Sequence, residues 1–133
     1  MPTLSDLVVQ GGQAITAGQV DAFRNHLAAY KLKAGTLEAA GQPLLGKQCS
    51  FLLRFIEDVL DDAYVSRDFP VLPEAIFAVR YLVKGADIIP DNTAGGYSDD
   101  AAVLREVLME HETEFRKYCS QNKIAFDSIL AKA

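Results

Sequence analysis

The strongest constraint on this chain is a stripe of apolar residues at steps of four and three. Leu45, Cys49, Leu52, Ile56, Val59 and Ala63 fall on one face of an α-helix. Lys47, Ser50, Arg54, Glu57, Asp58, Asp61 and Asp62 take the other faces. Pro43 suits the first helical position, where its missing amide would have gone unpaired anyway. A helix over residues 44–64 would be about 30 Å long, enough to cross a small domain. The acidic run Glu57, Asp58, Asp61, Asp62 reads as its solvated face, or alternatively as a dock for a basic partner.

Other segments repeat the helical period. Residues 4–15 form a weak opening helix, with Gly11 and Gly12 each costing about 1 kcal/mol relative to Ala. Thr16 to Gln19 match a capping box, and Val20, Phe23, Leu27 and Tyr30 follow at helical spacing, with Gly35 as the expected stop. Arg24, Asn25, Lys31 and Lys33 occupy the polar face. Residues 70–84 are apolar on nearly every face, broken only by Glu74, Arg80 and the terminal Lys84, which predicts the buried centre of a bundle. Val103, Leu104, Val107, Leu108, Phe115, Tyr118 and Cys119 define one further helix, and residues 123–131 a short terminal one. No period-two run or internal repeat interrupts this pattern. The expectation is an all-α, single-domain bundle of about five helices over residues 1–133.

The composition narrows the setting. The chain has 133 residues, half of them apolar, and so can bury roughly two thirds of its unfolded surface. A net charge of −5 repels phosphate backbones and anionic lipid, so neither nucleic acid nor membrane is an expected partner. Cys49 and Cys119 have no metal-binding or redox spacing and fit a reducing compartment. The N-terminus lacks the pattern of a secretory signal, and no window approaches a run of about 18 apolar residues. The expected setting is cytoplasmic.

Between the two most apolar helices lies Gly85 to Asp100, GADIIPDNTAGGYSDD, with four carboxylates: Asp87, Asp91, Asp99 and Asp100. The pattern Asp87-Ile-Ile-Pro90-Asp91, then Gly96-Tyr-Ser-Asp99-Asp100 and an apolar helix, resembles the YkvA-like family of small bacterial domains. The resemblance spans residues 68–110. It implies a helical fold and a bacterial source but no activity, because the family is itself a domain of unknown function. Gly85-Ala86 stands where the family often has Ser-Pro, and the run from Asn92 to Gly96 replaces a second Pro. The membrane attachment suggested for some relatives is not carried over.

Two readings of the four aspartates compete. In the first they are a structural clasp: Ser98 caps a helix, Asp99 and Asp100 face its positive end, and Asp87 or Asp91 accept loop amides. In the second they converge on a hard cation, Mg²⁺ or Ca²⁺, and support hydrolysis of a phosphoester. The spacing is not that of an EF-hand. The clasp is the leading reading, which makes the chain a non-enzymatic interaction or scaffold module. It would act on a protein partner or as a homodimer, with no catalytic residue and no cofactor assigned. His111 shares a stripe with Leu104, Leu108 and Phe115 and reads as a core histidine, whereas His26 reads as a surface residue.

Overall fold

In the computed structural model the described residues are 4–39, 43–65, 71–83 and 98–130. They form eight helices: α1 (Leu4–Gln13), α2 (Ala17–Arg24), α3 (Leu27–Ala39), α4 (Pro43–Leu60), α5 (Val71–Val83), α6 (Ser98–Glu110), α7 (Glu112–Asn122) and α8 (Phe126–Leu130). No strand occurs among the described residues. The protein is an all-α bundle, and none of these helices is long and apolar enough to cross a membrane.

The apolar helix α5 is the hub, packing against α1, α2, α3, α4 and α6. Val71, Ala75, Ile76, Ala78, Val79 and Leu82 are fully buried, as a helix apolar on almost every face requires. Helix α4 buries Leu45, Cys49, Leu52 and Ile56 against α3, α5 and α6. At one end of the bundle, Phe51 and Phe55 from α4 meet Tyr64, Phe115, Tyr118 and Phe126. The Phe55 ring lies 5.0 Å from Phe115 and 5.1 Å from Tyr118, both edge to face.

The described residues form eight helices where about five were expected: the short terminal segment is a helix of its own, and two expected helices are broken with no glycine or proline to mark either break. The helix opened by the Thr16 capping box ends at Arg24. The Asn25 amide turns back onto the Ala22 and Phe23 carbonyls, and α3 restarts at Leu27. Phe23, Leu27, Tyr30, Ala34 and Leu37 nevertheless line one buried face, because the interruption keeps the helical turn of the chain. Gly35 does not stop α3, which runs on to Ala39. The second break is at His111, whose φ of −115° and ψ of 31° separate α6 from α7.

Helix α4 ends at Leu60, short of the expected Tyr64. Asp62 adopts φ 60°, and the Ala63 amide reaches the Asp58 carbonyl while that of Asp62 reaches Val59. This is a Schellman closure with an aspartate where glycine is usual. Helix α7 closes alike at Lys123, with φ 57° and the Ile124 amide on the Cys119 carbonyl.

The glycines of α1 have a packing role that sequence reasoning could not assign. A Cβ on Gly12 would sit 2.5 Å from Glu74 Cγ and 3.3 Å from the Glu74 backbone. A Cβ on Gly11 would sit 2.4 Å from the Phe77 ring. These residues let α1 approach α5 backbone to backbone, which offsets their poor helix propensity.

Candidate functional site

Among the described residues four polar or charged side chains are buried: Gln48, Glu74, His111 and Glu114. Buried polar groups must be paired, so their partners separate structural roles from others. Gln48 on α4 donates to the Ile129 carbonyl at 3.0 Å and thereby docks α8. Glu114 on α7 accepts from the Tyr64 hydroxyl, tying α7 to the segment that follows α4. Both belong to the aromatic end of the bundle.

Glu74 and His111 are different. Glu74 Oε1 lies 2.8 Å from His111 Nε2, and the two side chains are 6% and 8% exposed. An ionised carboxylate can only accept, so in this contact Nε2 carries the proton and donates it. The break at His111 places the exposed Glu110 on the same side of the chain. Ligand atoms of Glu74, Glu110 and His111 all lie within 4.8 Å of one another. One turn earlier on α6, Glu106 hydrogen-bonds Glu110, and its carboxyl is raised above the usual range by desolvation first and by the Glu110 charge second.

Glu74 also faces a groove. Between α1, α2 and the start of α5 lies a cavity of about 680 Å³. Val9, Ile15, Ala17, Val20, Leu72 and Pro73 form its apolar walls. Gln13, Asp21 and Glu74 supply polar groups. That volume and this mix of apolar wall with a few polar groups fit a ligand-sized pocket.

The acidic run at the end of α4 is not simply solvated. Glu57 pairs with Lys31 at 3.0 Å, Asp61 pairs with Arg24, and Asp58 accepts from the Tyr118 hydroxyl at 2.5 Å. Arg24 also donates to the Leu60 carbonyl at 2.7 Å. These contacts fasten α2, α3 and α7 to the end of α4. The face is partly solvated, as expected, with Asp61 and Asp62 exposed, but the alternative of a dock for a basic partner meets carboxylates already engaged within the protein.

Both cysteines are buried, free thiols. Burial pushes the Cys49 thiol up to about 12 and the Cys119 thiol to about 11, so neither is a ready nucleophile. His26 is exposed, with its ring 5.8 Å from Tyr30, as a surface histidine should be.

Of the four aspartates singled out in sequence, Asp87 and Asp91 lie outside the described residues. Asp99 and Asp100 fall in the first turn of α6, which begins at Ser98. The cluster that the structure does assemble, Glu74 with Glu110 and His111, was missed. Glu74 had registered only as a break in an apolar run. The available signal was that a carboxylate on a helix buried on nearly every face must meet a donor, and His111 was the one histidine on an apolar stripe.

The fold and the groove define a helical protein with a pocket beside its central helix. In comparison with known proteins, no family model, curated protein or solved structure matches this chain.

Proposed function

We propose that this chain is a non-enzymatic helical binding module and that its working surface is the groove between α1, α2 and α5. The observation that carries this reading is the cavity of about 680 Å³, apolar on its walls and edged by Gln13, Asp21 and Glu74. Its expected occupant is an apolar segment of a protein partner, either another protein or a second copy of this chain. The buried, weakly acidic thiols and the structural pairing of Glu114, Asp58 and Gln48 support binding over catalysis. On this reading Asp87, Asp91, Asp99 and Asp100 form a clasp that sets the angle between α5 and α6. The YkvA-like resemblance is part of the same proposal.

Titration with an apolar fluorophore such as anilinonaphthalene sulfonate tests the groove. Saturable binding at one site per chain is expected, weakened at least tenfold by Val20→Asp in the groove wall. Sedimentation of the free chain tells whether a second copy is the occupant. A monomer that binds no apolar probe saturably would remove the reading.

A further inference from the structure

We propose that Glu74, Glu110 and His111 form a site for a divalent transition-metal ion of the zinc class, held where α5 meets the elbow between α6 and α7. The site comes from separate parts of the chain. Glu74 projects from the central helix, and Glu110 and His111 are consecutive residues at a helix break. Consecutive residues in an unbroken helix point about 100° apart. The departure of His111 from helical geometry, with no side-chain cap of its own, accompanies the convergence of both groups on Glu74.

The donor set selects the ion. One imidazole with two carboxylates suits zinc, cobalt or manganese, whereas magnesium and calcium want oxygen ligands alone. Three protein ligands leave one position of a tetrahedral ion for water or an incoming group. The ligand atoms already lie within 4.8 Å of one another, close to the span that a single ion bridges. His111 Nε2 and Glu74 Oε1, now 2.8 Å apart, must open by about half an ångström to share an ion with bonds near 2.0–2.2 Å. The ion takes the place of the proton between them, and the neutral imidazole then carries its proton on Nδ1, its other tautomer.

Two surroundings support the ligands. Glu106 is hydrogen-bonded to Glu110 through a shared proton, so a third carboxyl stands beside the ligands and steadies Glu110. Gly12 brings the α1 backbone against Glu74, which fixes the carboxylate from behind. The site needs nothing from the groove reading, because zinc can bind whether or not the groove takes an apolar partner.

Calorimetric titration of the whole chain with ZnCl₂, and optical titration with CoCl₂, test the proposal. One zinc per chain is expected, with the cobalt complex showing the intense visible bands of a four-coordinate ion. Magnesium and calcium should bind at least a hundredfold more weakly. Glu110→Gln, at an exposed position that leaves the fold intact, should weaken zinc at least tenfold. His111→Gln should abolish the cobalt bands. Zinc affinity unchanged in Glu110→Gln, or no zinc binding by the unaltered chain, would overturn the proposal. Loss of binding in Asp99→Asn but not in Glu110→Gln would overturn it too, placing the ion at the Asp-rich stretch.

Discussion

The two ends of this bundle are built on opposite principles. Where α4, α7 and α8 meet, six aromatic rings interlock and buried polar groups are spent on fastening one helix to the next. Where α1 and α2 meet α5, glycines replace large side chains, a cavity of about 680 Å³ opens, and the buried Glu74 on its lining reaches out to His111 at the elbow between α6 and α7. Dense packing leaves no room for a ligand, and interiors tolerate few voids larger than a water molecule. An end that keeps both space and buried ionisable groups is where binding is expected. The aromatic end holds the protein together, and the glycine end is free to do something else.

The largest expected effect breaks that comparison at its stronger side. Phe55 is fully buried and meets the rings of Tyr64, Phe115 and Tyr118. Phe55→Ala should cost about 3–5 kcal/mol of unfolding free energy in urea titration, through lost burial plus a cavity. A cost under about 1 kcal/mol would mean that the aromatic cluster is not the stabilising element.

Next comes a pair of identical substitutions with opposite signs. Gly12→Ala places a methyl 2.5 Å from Glu74 Cγ and against backbone, so it should destabilise by about 1–3 kcal/mol despite a better helix propensity. Gly35→Ala meets nothing within 4 Å inside α3 and should stabilise by about 1 kcal/mol. Thermal unfolding of the two variants side by side reads the difference. Equal shifts would remove the packing role assigned to Gly12.

A smaller gain is expected at the turn after α4. Asp62 occupies left-handed backbone at φ 60°, which costs a non-glycine residue about 1 kcal/mol. Asp62→Gly should recover about that much, seen as a higher denaturant midpoint with an unchanged slope.

The smallest effect is a pH dependence on α6, close to the elbow between α6 and α7. The Glu106 carboxyl is raised from its ordinary value of 4.5 by desolvation and by Glu110. A raised carboxyl favours the folded state when protonated. Its contribution is therefore complete below pH 4.5 and is lost as pH climbs through the raised value. Glu106→Gln should unfold at a higher temperature than the unaltered chain at about pH 7, and the difference should vanish near about pH 4. A difference that is constant with pH would assign the effect to packing instead.

How far this comparison could be read in sequence differs between its two sides. The buried stripes were legible: Leu45, Cys49, Leu52 and Ile56 fall where their spacing puts them, and residues 71–83 form the hub their apolar composition demands. The breaks at Asn25 and His111 were not, because neither carries the Gly or Pro that marks an interruption. Helix propensity acts over a few residues, whereas these breaks serve contacts between distant segments, such as Arg24 with Leu60. Gly11 and Gly12 misled for the same reason, since a close approach to Phe77 and Glu74 has no signature in local sequence. Glu74 and His111 lie far apart in the chain, and only the packing of α5 against α6 brings them together.

Backbone amide resonances followed during titration with an apolar fluorophore test most directly whether the glycine end is the working end. Shifts are expected at Val9, Gly12, Ile15, Val20 and Leu72, with Phe51, Phe55, Phe115 and Tyr118 unmoved. Shifts centred on the aromatic cluster, or none that saturate, would contradict it.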